Sequence, residues 1–131
     1  MALAQAEHVV DASAALALLL AEPGAEKVAP HLGAAWMSAV NLAEVAQRCW
    51  RLGRDPEPYL DRLFAAGLRV ADADLLAARL AADLERLTRP FGLSLADRFC
   101  LALALDRSLP VLTADRPFQQ LGLPIQIVLI R

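Results

Sequence analysis

The sequence predicts an α/β fold, a central mostly parallel sheet flanked by helices. Short apolar stretches at 8–10, 34–37, 68–70, 111–112 and 125–130 alternate with segments of helical period. The last stretch hardly alternates between apolar and polar residues, the pattern of a strand buried on both faces. Capping residues, prolines and glycines punctuate the chain between these stretches. Strands and helices therefore take turns, as in a sheet built from crossover units.

In order along the chain, residues 8–10 make the first strand and Asp11 ends it. Residues 13–21 turn helical until Pro23-Gly24 closes the segment, and 25–32 make a further short helix. Residues 34–37 read as the second strand, after which Ser38 caps a helix running to Leu52, stopped by Gly53. Pro56 and Pro58 open the next helix, which carries Tyr59, Leu60, Leu63 and Phe64 and ends at Gly67. After the strand at 68–70, Asp72 or Asp74 caps a helix to about Leu87, and Ser94 caps another to about Arg107. That last helix is apolar nearly all round, so it belongs in the interior. Trp36, Trp50, Tyr59 and Phe64 are assigned to the core, the last two with the option of lining a partner groove. His8 and His31 are read as structural.

With 131 residues and no repeat, low-complexity tract or linker, the chain reads as one domain over 1–131. Hydrophobic residues at 57% give ample core material, while only 21% charged residues leave apolar surface for a partner. A net charge of -2 argues against a general polyanion binder but permits a local basic groove. Lys27 is the only lysine; arginine, whose planar fork suits phosphate, supplies every other cation. GC-rich coding produces the same bias. Cys49 and Cys100 lack the spacing of a disulfide framework or zinc site, which fits a reduced, cytoplasmic setting. No lysine or arginine precedes Lys27, unlike a secretory signal, and the longest uncharged apolar run, 12–21, is shorter than the ~20 residues a bilayer needs. The expectation is a soluble protein with no membrane segment.

Three aspartates stand where apolar stretches end: Asp11, Asp97 and Asp115. A carboxylate in such surroundings is poorly solvated and calls for a cation, a donor or a proton. Each has a local alternative. Asp11, two residues before Ser13, can cap the following helix. Asp97 is the third helical residue of Ser94-Leu95-Ala96-Asp97, a capping-box spacing. Asp115 precedes Arg116-Pro117 at a helix start. Asp11 and Asp115 nevertheless follow strands, and open α/β sheets build their sites beyond the carboxyl ends of strands. Asp97 opens a buried helix near the positive end of its dipole. Glu44 is not singled out by periodicity. It shares a polar face with Asn41, Gln47, Arg48 and Arg51, opposite an expected buried side of Leu42, Ala43, Val45, Ala46, Cys49 and Trp50.

Taken together, Val-Val-Asp-Ala-Ser-Ala at 9–14, Asn-Leu-Ala-Glu-Val at 41–45, Leu-Ser-Leu-Ala-Asp at 93–97 and Leu-Thr-Ala-Asp-Arg at 112–116 resemble a PIN-domain ribonuclease. The likeness is specifically to the VapC-type toxin of toxin–antitoxin pairs. The motifs occur in the family's order and span nearly the whole chain; the leader before Asp11 is a few residues longer than in many relatives. The resemblance implies a PIN-like three-layer fold in which Asp11, Glu44, Asp97 and Asp115 form an acidic pocket, with Ser13 and Thr113 as supporting hydroxyls. It moves Glu44 from bulk water to a groove. Oxygen donors of this kind select Mg²⁺ or Mn²⁺, which lower the pKa of water for in-line attack on phosphorus. The implied activity is endoribonucleolytic hydrolysis leaving a 5′ phosphate and a 3′ hydroxyl. Arg48, Arg51, Arg86, Arg89, Arg98 and Arg116 are candidate RNA contacts. The implied partners are a VapB-type antitoxin, whose amphipathic segment would lie on the helices around Leu16–Leu20 and Leu60–Phe64, and a second copy of the chain.

Two other classes compete. A phosphoaspartyl enzyme also places Asp at a strand end, but it needs a lysine near the phosphoryl group, and Lys27 lies in the wrong context. A non-catalytic PIN-like scaffold binding RNA or protein would not need the full set of acids.

Overall fold

The computed structural model describes residues 6–131, so the first part of the leader, residues 1–5, lies outside it. Among the described residues, β1 (His8–Val10), β2 (Ala35–Ser38), β3 (Arg69–Ala71), β4 (Val111–Thr113) and β5 (Ile127–Leu129) form one sheet ordered β3-β2-β1-β4-β5. Every pairing is parallel, with Val9 opposite both Trp36 and Val111. The chain runs outward from β1 to β2 and β3, then returns to the other side of β1 for β4 and β5. The topological switch point thus falls between β1 and β4, where a doubly wound sheet opens a crevice at its carboxyl end.

The helices are α1 (Ala12–Leu19), α2 (Ala25–Val28), α3 (Ala39–Arg51), α4 (Glu57–Ala65), α5 (Leu75–Asp83), α6 (Glu85–Thr88) and α7 (Leu95–Arg107). Strand side chains alternate between faces, so the buried pairs Val9-Val10 and Val111-Leu112 each feed two cores. Val10, Met37 and Leu112 pack with α1 alanines 14, 15 and 17, with Val45 of α3 and with Leu63 of α4. Val9 and Val111 pack with Cys100, Leu101 and Ala104 of α7 and with Phe118. This is the three-layer α/β arrangement expected from the sequence. α1 starts two residues after β1 ends, so its first turn stands at the carboxyl end of that strand, and its buried alanines pack in the core on that side.

Several elements depart from expectation. β5 is an edge strand paired only with β4, and its three residues are partly rather than fully buried. The helix foreseen over 25–32 becomes α2 followed by a 3-10 segment (Ala29–Ala34), because Pro30 has no N–H to give an α-helical bond. The helix foreseen to Leu87 divides at Leu84, whose N–H is shared between Leu80 and Ala81 carbonyls at 3.3 Å. Asp74, not Asp72, caps α5, accepting from the Ala77 N–H at 2.9 Å.

Trp50 and Phe64 are not core: they are 65% and 44% exposed. On α3 the buried stripe is the narrow line Asn41, Val45, Cys49, which rotates Ala43 and Trp50 outward. Trp36 is half-buried, and the guanidiniums of Arg69 and Arg107 lie 4.3 Å and 4.1 Å from its ring centre.

Gly24 adopts φ +95°, and a Cβ there would collide with the Ile130 carbonyl. The turn before α2 therefore presses against the end of the chain beyond β5. No described helix is long and apolar enough to cross a membrane.

Candidate metal centre

The crevice at the switch point holds the acids. Asp11 follows β1 directly, Asp115 lies two residues beyond β4, and Asp97 stands in the first turn of α7. Carboxylate oxygens of these three all lie within 4.8 Å of one another. Glu44, from the second turn of α3, completes the lining of a cleft of about 220 Å³ together with Ser13, Leu16, Gln47, Arg48 and Arg51.

The local alternatives resolve differently for each acid. Asp11 occupies the N-cap position of α1 without a side-chain capping bond. Its Oδ2 instead accepts from Ser13 Oγ at 2.7 Å and from Thr113 Oγ1 at 2.9 Å. Asp115 likewise makes no side-chain cap. Asp97 does both jobs. Its Oδ2 accepts from the Ser94 N–H at 2.8 Å while Ser94 Oγ accepts from the Asp97 N–H at 3.1 Å, a complete capping box. The box fixes the first turn of α7, so one carboxylate anchors the helix and faces the other acids.

A hydroxyl ladder orders the junction of the strands. Ser13 Oγ also lies 3.2 Å from Thr113 Oγ1 and accepts from the Ala114 N–H at 2.9 Å, while Thr113 Oγ1 accepts from the Asp115 N–H at 3.0 Å. Ser13 and Thr113 thus tie the β1 and β4 loops together around Asp11.

Sequence patterning places Asn41 on the polar face and gives it no role at the site. It is fully buried, and its Nδ2 donates to Glu44 Oε1 at 2.9 Å and to the Ala96 carbonyl at 3.0 Å. One amide therefore holds Glu44 against the start of α7, leaving Asn41 Oδ1 without a partner. The Asn-x-x-Glu spacing, one helical turn, was the available signal. Its buried position also shows why periodicity misread this face: Glu44 is half-buried rather than solvated.

The charges are strained. Asp11, only 2% exposed, has its pKa pushed up to about 7. Burial is the main cause, the charges of Asp115 and Asp97 add to it, and the Ser13 and Thr113 hydroxyls oppose it. Burial, then Asp97, raises Asp115; burial, with Asp97 and Asp115, raises Glu44 against the pull of Asn41. Cys100, buried one turn beyond Asp97, is held well above the ordinary thiol value by burial and by all four acids. It is a packing residue and not a reactive thiol.

The ion pairs of the described residues, Arg69–Glu7 and Arg89–Glu85, involve none of these acids. Hard oxygen donors, clustered and without a paired cation, suit a divalent ion of the Mg²⁺ or Mn²⁺ type. An ion with oxygens at about 2.1 Å spans about 4.2 Å between opposite donors. Oxygens lying within 4.8 Å of one another can therefore meet on one such ion.

Of the arginines singled out in the sequence, Arg48 and Arg51 line the cleft. Arg86, Arg89, Arg98 and Arg116 do not. Arg89 is paired with Glu85 at 2.9 Å, and Arg98 donates to the Leu93 carbonyl at 3.2 Å.

A three-layer α/β protein with an acid cluster at the β1/β4 switch point defines the class. The chain matches the family model of the PIN domain over residues 8–123, and it belongs to that family. Among solved structures, it resembles a chain of DNA-bound VapBC from Salmonella typhimurium at TM-score 0.74 and 20% identity, covering 97% of this chain and 100% of that one. A toxin–antitoxin complex from Klebsiella pneumoniae gives TM-score 0.73 and 16% identity, with 95% and 98% covered. A VapBC-family toxin–antitoxin system from Mycobacterium tuberculosis gives 0.60 and 23%, with 95% and 99% covered. At these identities the likeness establishes the fold. No curated protein sequence matches.

Proposed function

We propose that this PIN-domain protein is a Mg²⁺- or Mn²⁺-dependent endoribonuclease, the VapC-type toxin of a type II toxin–antitoxin pair. The observation that carries this reading is the meeting of Asp11, Asp97 and Asp115, distant in sequence, within 4.8 Å. Three caps serving only their own turns would have no reason to converge.

Asp11, Asp97 and Asp115 would hold the ion, with Ser13 and Thr113 aiming Asp11 through its Oδ2. When bound, a divalent ion supplies Lewis acidity that lowers the pKa of water and offsets charge on the phosphate. Glu44 has one oxygen engaged by Asn41, which leaves Oε2 to orient the attacking water or to help hold a second ion. Attack of water on phosphorus with departure of the 3′ oxygen would leave a 5′ phosphate and a 3′ hydroxyl, the ends the family likeness implies.

The VapBC and toxin–antitoxin complexes among the structural relatives support an antitoxin partner for this chain as well. α4 meets α1 where Arg62 Nη1 donates to the Leu19 carbonyl at 3.4 Å, with Leu16, Leu18, Leu20 and Leu60 partly buried and Phe64 exposed nearby. An amphipathic antitoxin helix suits that surface. A homodimer is the further assembly the family likeness implies, and sedimentation of the purified chain tests it.

The decisive assay is cleavage of labelled RNA with Mn²⁺ or Mg²⁺, using Asp11→Asn and Asp97→Asn as controls. Loss of metal-dependent cleavage in both, with thermal melts showing folded protein, is the expected result. Undiminished cleavage by both variants overturns the assignment.

A further inference from the structure

A second cleft opens beside the acidic one. It is lined by Ser13, Leu16, Leu20, Glu22, Arg48 and Arg131, and shares Ser13, Leu16 and Arg48 with the first. The two are therefore one groove, running from the carboxylates along α1 toward the chain end beyond β5. Arg131 is fixed there. Its Nη1 donates to the Pro23 carbonyl at 2.9 Å, on the turn that Gly24 packs against Ile130. One bond leaves most of its donors free. Among the described residues, the guanidiniums of Arg48 and Arg51 make no ion pair or hydrogen bond.

The groove has a polarity. A polyanion approaching four carboxylates is repelled unless cations flank its path. Arginines line the groove on the α1–α3 side, Arg51 and Arg48 near the acids and Arg131 beyond, with Glu22 as the one acid of the outer cleft. The floor there, Leu16 and Leu20, offers no side-chain donor or acceptor to a base edge. Over that floor the arginines are placed to meet backbone phosphates, contacts that position a strand without reading its sequence.

Resting on the nuclease reading above, we propose that Arg131, with Arg48, forms a phosphate-binding tract along α1 that positions single-stranded RNA flanking the scissile bond. Arg131 is a positioning residue. The tract places the strand over the α1–α3 side of the acids and away from Arg86 and Arg116.

The test is fluorescence anisotropy with a fluorescein-labelled single-stranded RNA of about 12 nucleotides, Ca²⁺ replacing Mg²⁺, strand integrity being checked on a gel. Arg131→Gln and Arg48→Gln should each lower the salt slope of log K by roughly 0.7, weakening binding roughly eightfold at about 50 mM salt. Arg131→Lys, which retains the charge, should restore most of the slope, whereas a purely structural tie to Pro23 would leave the slope unchanged in every Arg131 variant. Arg86→Gln and Arg116→Gln should leave the slope unchanged. Wild-type slopes in Arg131→Gln and Arg48→Gln, or a reduced slope in Arg86→Gln or Arg116→Gln instead, overturn the tract. If the wild type still cleaves RNA in that case, the nuclease reading stands and only the tract fails. A wild type that neither binds nor cleaves RNA overturns both.

Discussion

Thr113 Oγ1 donates to Asp11 Oδ2 at 2.9 Å across 102 residues of sequence, joining the ends of β4 and β1 at the point where the acids gather. Thr113 is fully buried and its oxygen also accepts from the Asp115 N–H, so one hydroxyl orients two candidate ligands. Thr113→Val keeps the shape and removes both bonds. It should weaken Mn²⁺ binding by about 10- to 100-fold, the range for losing an outer-shell partner. Isothermal calorimetry measures this; unchanged affinity would mean the hydroxyl serves the fold alone.

Burial and repulsion at Asp11 tie stability to pH. Its carboxyl titrates at about 7 in the folded chain against 3.8 when unfolded, so the folded state holds the proton more tightly. The associated stability is present at low pH and is lost as pH rises from about 4 to about 7. Asp115 and Glu44 are raised in the same direction. Between pH 5 and pH 8 Asp11 alone should cost the metal-free protein roughly 2.6 kcal/mol, and the other two acids add to the loss. Denaturant titrations in a chelator check this. Mn²⁺ at about 100 times its Kd should return about 2.7 kcal/mol at pH 8.

Asp11→Asn makes the converse case. Replacing a strained carboxylate with a neutral amide should stabilise the metal-free protein at pH 8 and abolish its stabilisation by Mn²⁺. Thermal melts with and without Mn²⁺ read both effects, and a variant still stabilised by the ion would remove Asp11 from the ligand set.

Asn41→Leu leaves Glu44 and the Ala96 carbonyl without their shared donor. Breaking this buried network should destabilise the fold by about 1–3 kcal/mol. At saturating Mn²⁺ the RNA cleavage rate should also fall, because Glu44 loses its orientation. Equal rates with reduced stability would confine Asn41 to packing.

The residues explain what was legible. Asp11 and Asp115 announced themselves because each follows an apolar strand, and strand ends in a parallel sheet point to one crevice. Ser94 and Asp97 were readable as a capping box, which they are; that the same carboxylate also faces the other acids depends on how α7 docks, a long-range fact. Glu44 was invisible to periodicity because α3 buries the polar Asn41 in its stripe, an exception to amphipathic patterning that pays for itself at the site. Arg131 could not be found from sequence, since its place depends on the turn at Pro23-Gly24 meeting the end of the sheet. Trp50 departs from its core assignment because the buried stripe of α3 is narrower than its apolar residues suggest, while the exposure of Phe64 fits the second of its two readings, a partner groove.

The most direct test is a crystal structure of the Mn²⁺-soaked protein with anomalous scattering measured at a manganese-sensitive wavelength. The account predicts a peak among the carboxylates of Asp11, Asp97 and Asp115, absent from crystals of Asp11→Asn. A fully soaked crystal with no peak there, or with manganese bound only elsewhere, would contradict it.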